Sequence, residues 1–393
     1  MDKRKKINSI GLAIFLCANA LTMIYPTNNI IVIISLISLL IVFLNNPLPV
    51  FLNTKLVAVV LVILLFLFTS IFANYNADDF YLYFYSFLVF GVVGILYSNV
   101  PIDYPYFYRT TILIAILSMP GIIALDTRSY TNMKEATGSW MSASQNSLRL
   151  ILGLILALSF VKNKIYKMLV VLIIMFYFSF YFNYGTRGAF LSLLVFLFFI
   201  FLERKKRLNL KTISFLFLGI GFLSFFLQDI MIFIQQTLFN YGYSIRALDK
   251  SITVFKSDID VSNGRYDIWL KAFNEIVEKP IFGNGIASFT ATTDTYVHNV
   301  FITILHEGGV LYFLPILFVF LKFIKLLLSK TYPSQQKEFL IYLFCAGIIE
   351  LMFSNVYWRT MMFWYFVGYV LSAELNQKCN ETTKLTPKLI KVN

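Results

Sequence analysis

The chain has 393 residues, of which 59% are hydrophobic and only 13% are charged, and its formal net charge is +13. Soluble domains carry about 45–50% apolar and about 25% charged residues, so this composition excludes a soluble enzyme, a disordered tail protein and a secreted disulfide scaffold. A polytopic membrane protein fits, and the excess of lysine and arginine is typical of cytoplasmic loops rather than of a nucleic-acid-binding surface.

Apolar runs along the chain predict an all-α protein with about twelve transmembrane helices. The candidate spans are 9–26, 29–45, 55–74, 80–98, 109–125, 147–161, 168–184, 187–203, 212–235, 308–328, 338–355 and 357–374. The basic N-terminus resembles a signal peptide in outline, but no small-residue cleavage site follows Pro26, so we expect an uncleaved first span. Every short basic cluster then falls on the side of the N-terminus, which predicts that both termini are cytoplasmic.

This reading divides the chain into four segments. Residues 1–235 hold helices 1–9, residues 236–297 form a large extracytoplasmic loop, residues 298–375 hold an outer-leaflet helix and helices 10–12, and residues 376–393 form a cytoplasmic tail. A shorter outer segment, 126–146, is also long enough to carry functional residues. Acidic and basic residues nearly balance in the large loop, which favours individually placed charges over a nonspecific polyanion-binding patch.

The large loop contains a predicted amphipathic helix at 265–279, which we expect on the outer face of the bundle. One face of this helix carries Ile268, Trp269, Ala272, Phe273 and Ile276, with charged residues opposite. Pro280 ends the helix, and Gly283-Asn284-Gly285 predicts a turn.

The mostly apolar run from His298 to Leu328 is too long for one straight span. Its 31 residues would extend about 46 Å as a helix, whereas the hydrocarbon core of a bilayer is about 30 Å thick. Glu307-Gly308-Gly309 is the natural break. Non-helical backbone at this depth is tolerated only against protein or a water-filled cavity, so we expect His298 and Asn299 at the mouth of such a cavity.

His298 is one of only two histidines in the chain and is a candidate general base, because its ordinary pKa allows it to take up and release a proton near neutral pH. A polar residue that merely marks the membrane boundary is the alternative. His306 lies eight residues further on, and the three cysteines (Cys17, Cys345 and Cys379) show no metal-ligand spacing. We therefore expect no metal and no cofactor.

Arg187 and Arg265 are candidate phosphate-binding residues. Each follows a glycine-containing turn at a predicted helix start, in Gly185-Thr186-Arg187-Gly188 and Asn263-Gly264-Arg265-Tyr266. An interfacial anchor is the alternative for each. Glu350 and Arg359, near the outer ends of the last two spans, are expected to pair with each other, which favours a structural role for Glu350 and leaves Arg359 open to substrate binding. The absence of nucleotide-binding motifs disfavours an ATP-driven pump and a nucleotide-sugar enzyme.

Three motifs in order resemble the O-antigen ligase and O-antigen/exopolysaccharide polymerase superfamily. They are Gly-Thr-Arg-Gly-Ala at 185–189, Gly-Arg-x5-Ala with Pro-x-Phe-Gly-x-Gly at 264–285, and His-Asn-x7-Glu-x-Gly at 298–309. The resemblance covers roughly residues 140–330. It implies a membrane glycosyltransferase of the C type in the bacterial cytoplasmic (inner) membrane, with its active site facing the periplasm or exterior.

The resemblance also implies the substrate and the roles of the site residues. The donor is a glycan on undecaprenyl diphosphate, bound through Arg187 and Arg265, and His298 is the base on the acceptor hydroxyl. Asn299, Glu307 and Arg359 complete the expected substrate site. A chain-length regulator, a flippase and membrane lipid are the expected partners, and nucleic acid is not.

Polymerase and ligase differ in the acceptor, which is another lipid-linked repeat unit or lipid A core. Ligases of the family tend to carry the motif His-Asn/Ser-x9-Gly-x-x-Gly-Thr. This chain matches its first three positions with His298, Asn299 and Gly309, but has Tyr312 and Phe313 in place of the final Gly-Thr. The departure favours a polymerase, with a ligase as the alternative. A lipid-linked glycan flippase is an alternative of another class, although the polar groups cluster at the predicted outer surface and no internal repeat is visible.

Overall fold

The computed structural model describes residues 3–21, 28–46, 56–129, 133–184, 187–206, 265–353 and 355–385, and a few isolated positions between 211 and 240. All regular structure in these ranges is helical. The helices are α1 (Lys3–Leu16), α2 (Ala18–Leu21), α3 (Asn28–Asn45), α4 (Leu56–Phe72), α5 (Ala77–Ser86), α6 (Val93–Tyr97), α7 (Tyr104–Ser129), α8 (Met133–Ala157), α9 (Lys164–Tyr184), α10 (Arg187–Arg204), α11 (Arg265–Glu278), α12 (Ser288–Thr293), α13 (Val300–Leu328), α14 (Ser334–Phe344) and α15 (Met361–Leu385).

Four helical segments of the described chain are long and apolar enough to cross a membrane: Ala77–Tyr97, Tyr104–Ala124, Lys164–Tyr181 and Val300–Leu328. Four shorter apolar helices are Ile31–Asn45, Val57–Phe72, Ala143–Ala157 and Met361–Ala373. The all-helical, membrane-spanning class is therefore supported, while the number twelve remains a prediction. Most of the candidate span 212–235 lies outside the described residues.

Helices close together in the sequence pack side by side in the bundle, and helices from the N-terminal and C-terminal parts of the chain also contact each other. Helix α1 packs on α3 and α7, α8 packs on α7 and α9, α10 packs on α14, and α15 packs on α6. The predicted outer segment 126–146 is largely helical, because α7 continues to Ser129 and α8 begins at Met133. The apolar pattern alone did not reveal these extensions, since polar residues can continue a helix beyond the membrane.

Two π-helical turns interrupt the apolar helices, at Phe87–Val92 and Cys345–Ile349. Such bulges are frequent at functional sites, because they rotate the side chains that follow. The first bulge places the Phe87 ring against Trp358 and Trp364, with ring centroids 6.0 and 4.9 Å apart. Phe66 packs on Trp358 from another side, at 4.8 Å. The resulting aromatic cluster forms one wall of the candidate site.

A candidate active site at a broken helix

Helix α13 is broken at Gly309, as the sequence predicted. This residue has φ 60° and ψ −164°, a conformation that only glycine adopts readily. Four backbone groups beside the break are bonded to the segment 280–285. The four bonds are Asn284 N to His306 O (2.7 Å), Gly285 N to Glu307 O (2.9 Å), Val310 N to Pro280 O (2.9 Å) and Leu311 N to Ile281 O (3.2 Å). The loop segment therefore replaces the missing helical hydrogen bonds, which are costly to lose inside a membrane protein.

The contact between the break and the loop leaves no room for side chains. A Cβ atom on Gly309 would overlap the Ile281 carbonyl, and one on Gly283, at φ 72°, would lie 2.5 Å from the Gly309 nitrogen. The predicted turn at 283–285 is thus an interlock between two backbone segments.

Replacing Gly309 by alanine is expected to destabilise the protein by about 1–3 kcal/mol through backbone strain alone. Displacement of the segment 280–285 by the added methyl group should lower the stability further. Thermal unfolding of the purified protein in detergent measures the change. Gly153→Ala is the matched control, because Gly153 lies within regular helix α8. The atom nearest to the added Cβ would be the methyl carbon of Thr111, at 3.0 Å. Equal unfolding temperatures for the two variants would show that the interlock contributes little.

Helix α11 matches the predicted amphipathic helix at 265–279 and packs on the first half of α13. The Trp269 indole N–H donates to the Val297 carbonyl at 2.9 Å. His306 Nε2 lies 2.6 Å from Glu275 Oε2, and the His306 side chain is fully buried. Ala272 and Ile276 are buried as expected, whereas Phe273, placed on the same face by prediction, is 47% exposed. Phe273 lies instead on an exposed apolar face of the helix, together with Tyr266, Leu270 and Val277.

His298 lies between α12 and α13 with φ 57°, a left-handed conformation that is uncommon for residues other than glycine and asparagine. Its imidazole is half-buried and lies against the Tyr296 ring, with the ring centroids 3.9 Å apart and the ring planes inclined by 40°. Among the residues that the structure describes, His298 Nδ1 has no hydrogen-bond partner. Strained backbone and an unpartnered ring nitrogen are features of functional histidines.

Burial, and to a lesser extent the positive charge of Arg265, lower the pKa of His298 from 6.5 to about 4. A hydrogen bond to the Phe353 carbonyl acts in the opposite direction and does not offset the two larger effects. The imidazole is therefore neutral at neutral pH and able to accept a proton. Arg265 and His298, which the sequence predicted for one site, are close enough to influence each other.

The pKa of His298 is expected to rise when Arg265 is replaced by glutamine, because a positive charge that disfavours the imidazolium is removed. The chain has only two histidines, so titration of histidine-labelled protein by NMR gives two resonances, and the His298→Asn spectrum assigns them. Lys271→Gln is the control, since this lysine lies on the same helix but is paired with Glu275. An unchanged titration in the Arg265 variant would place its charge away from the imidazole.

Glu307 is buried immediately before the helix break. Its Oε2 accepts hydrogen bonds from the Tyr357 hydroxyl at 2.7 Å and the Trp358 indole N–H at 2.9 Å. The exposed Arg359 follows these two residues. The Tyr83 phenol interacts electrostatically with both Glu307 and Arg359, which places the two predicted site residues in one neighbourhood. Their binding of substrate remains a prediction.

The remaining predicted residues also border this region. Arg187 begins α10, although its side chain lies outside what the structure describes, and the next residue, Gly188, packs directly against the Phe353 side chain. Asn299 caps α13, because its side-chain oxygen accepts hydrogen bonds from the backbone of Phe301 (3.0 Å) and Ile302 (3.2 Å). This capping role was not foreseen.

The expected pairing of Glu350 with Arg359 is wrong. Glu350 instead pairs with Arg149 of α8, at 3.0 Å between Oε2 and Nη2, and both side chains are buried. The signal was present in the sequence, since an arginine within an apolar span requires a partner. Tyr83, Tyr296 and Phe353, by contrast, belong to no motif. Among the described residues, no group of three or more histidine, cysteine or acidic side chains could hold a metal ion.

The geometry defines a candidate active site in the membrane-spanning bundle. It places a neutral imidazole, a candidate base, beside the fixed positive charge of an arginine. A family model described as O-antigen ligase matches residues 170–317, the segment that contains Arg187, Arg265, His298, Asn299 and Glu307. The predicted resemblance to the O-antigen ligase and polymerase superfamily is confirmed. Members of this family are membrane glycosyltransferase-like enzymes that act on lipid-linked glycans. A search of curated proteins finds no match.

Proposed function

We propose that the protein is a polymerase that joins oligosaccharide repeat units carried on undecaprenyl diphosphate into O-antigen or capsular/exopolysaccharide. The observation that carries the proposal is the neutral, half-buried His298 held within the electrostatic reach of Arg265. One group removes a proton from a weak nucleophile, and the other stabilises negative charge on a leaving group. Transfer of a glycan from a lipid diphosphate requires both.

In the proposed reaction, a hydroxyl of the acceptor sugar attacks the anomeric carbon of the donor. His298 takes the hydroxyl proton as the new glycosidic bond forms, and the bond from the anomeric carbon to the diphosphate oxygen breaks with its electron pair. Arg265 and Arg187 hold the diphosphate and stabilise the charge that develops on the departing oxygen. These residues supply the proton transfer and the charge stabilisation without a metal ion.

A lipid-linked substrate needs an apolar surface next to the reacting groups, and the structure contains one. A cavity of about 960 Å³ lies between α4, the second half of α13 and α15. Gly308, directly after Glu307, lines it together with Tyr312 and Trp364. A long isoprenoid chain in this cavity would leave its diphosphate near the helix break, which supports a polyprenyl-linked donor.

The proposed reaction takes place at the outer face of the cytoplasmic membrane. A topology reporter fused after Lys205 is therefore expected to read as cytoplasmic, and one inserted near Asn263 as external. The two sites serve as controls for each other in the same chain. An external signal at Lys205, or a cytoplasmic one near Asn263, would contradict the orientation.

The deciding experiment is incubation of the purified protein with a short undecaprenyl-diphosphate-linked repeat unit as sole substrate. A polymerase produces a ladder of longer chains. The description of the family model favours a ligase as the second candidate, and a ligase forms product only when lipid A core is added. Failure to form product with either acceptor would contradict glycosyl transfer altogether.

A further inference from the structure

A buried ion pair is connected to His298 through intervening residues and has no part in the reaction proposed above. Arg149 Nη2 lies 3.0 Å from Oε2 and 3.2 Å from Oε1 of Glu350, and the Asn146 side-chain oxygen accepts from Arg149 Nη1 at 3.2 Å. The two charged side chains are only 5% and 3% exposed. Replacing such a pair by apolar residues is often neutral or stabilising, so its presence calls for a reason other than stability.

Glu350 holds the polypeptide turn that follows it. The Phe353 backbone N–H donates to the Glu350 carbonyl at 3.1 Å, and the Asn355 side-chain amide approaches Glu350 Oε1 at 3.5 Å. Asn355 has φ 72° and accepts a hydrogen bond from the Val356 backbone N–H at 2.8 Å. The carboxylate that Arg149 fixes is therefore linked to Asn355, while the backbone carbonyl of the same residue, Glu350, holds Phe353.

Phe353 acts on His298 through its backbone carbonyl, and Asn355 reaches His298 through Tyr296. The Phe353 carbonyl stabilises the protonated form of the His298 imidazole and so raises its pKa. The Asn355 backbone N–H donates to the Tyr296 hydroxyl at 3.2 Å, and the Tyr296 ring packs against the imidazole. A continuous set of contacts thus leads from Arg149 through Glu350 to the His298 ring.

We propose that Arg149 and Glu350 are positioning residues that set the orientation and burial of the His298 ring through Phe353, Asn355 and Tyr296. A displacement of about 1 Å in a reacting group can cost about 10²-fold in rate, so a rigid support for this ring has a direct catalytic consequence. That consequence rests on the proposed function, whereas the positioning itself does not.

The test replaces Glu350 by glutamine, which keeps the shape of the side chain and removes its charge. We expect the pKa of His298, followed by NMR, to rise from about 4 toward 6.5 as the ring becomes more exposed to solvent. The rate of chain extension on the lipid-linked repeat unit should fall about 10²-fold, with little change in KM for the donor. A purely structural role would lower stability without shifting the titration.

The matched control is Glu203→Gln. Glu203 of α10 forms a comparably buried pair with Lys337 of α14, at 3.6 Å, and lies at the other end of α10 from Gly188. This variant should lose stability while His298 titrates as in the wild type. A folded Glu350→Gln protein with an unchanged His298 titration would overturn the proposal.

A second variant decides the matter where Glu350→Gln cannot be recovered in folded form. Tyr296→Phe keeps the ring that packs against His298 and removes only the oxygen that accepts from Asn355. We expect a smaller pKa rise in the same direction, and no rise would overturn the proposal. If the wild-type protein forms no glycan product, the proposed function fails, and the titrations still decide the positioning role.

Discussion

Replacing His298 by asparagine is expected to slow chain extension by about 10²–10⁴-fold, the usual cost of losing a positioned general base. Asparagine is the appropriate replacement, because it tolerates the left-handed backbone that His298 adopts at φ 57°. Alanine should show a similar loss of rate together with some loss of stability. The measurement is the initial rate of product formation with a lipid-linked repeat unit at saturating concentration.

Donor binding is the control for this prediction. The dissociation constant for the lipid-linked unit, measured by tryptophan fluorescence, should stay near the wild-type value, because the base acts on the acceptor hydroxyl. The wild-type rate should fall only near pH 4, where the imidazole becomes protonated, and should stay constant through neutral pH. An asparagine variant with wild-type turnover would contradict the base role, and one that fails only in donor binding would make His298 a binding residue.

The second large effect is expected at Arg265. Arg265→Lys retains the positive charge but loses the planar fork that bonds two phosphate oxygens, so activity should fall strongly and donor binding should weaken. Arg265→Ala should lose more, at normal abundance in the membrane, because the side chain is partly exposed at the start of α11. The same substitutions at Arg187 should give matching losses if both arginines hold one diphosphate.

Arg204→Lys is the control for the arginine series. Arg204 ends α10 and pairs with Glu338 at 3.0 Å, with 43% of its side chain exposed. Its substitution should leave both donor binding and rate unchanged. Alanine variants of Arg187 and Arg265 that still build long chains would show that these residues anchor the bundle and do not bind the diphosphate.

The parts of the fold that depend on local sequence could be predicted. The bounds of α11 follow from its apolar face and from Pro280, and the break at Gly309 follows from a run too long for the bilayer. The partners of the break could not be foreseen in the same way. Nothing in the local pattern of 280–285 indicates that its backbone groups complete a helix more than twenty residues further on.

The site was predicted where motifs marked it and missed where only tertiary packing assembles it. His298 and Arg265 were found as candidates because a histidine and an arginine near a membrane surface are chemically conspicuous. The pairing of Glu350 was assigned to the nearest arginine in sequence, whereas the folded chain offers Arg149, 201 residues away. Tyr296 packs its ring against His298, a contact that no spacing rule reveals.

The interlock between Gly283 and Gly309 limits how enzymes of this kind can be recombined. The loop 280–285 of a relative cannot be grafted onto this bundle alone, because each glycine accommodates the backbone of the other. A chimera that preserves the four hydrogen bonds must carry residues 280–311 as one block. Any change of sugar specificity encoded in that loop is thereby tied to the membrane helix behind it.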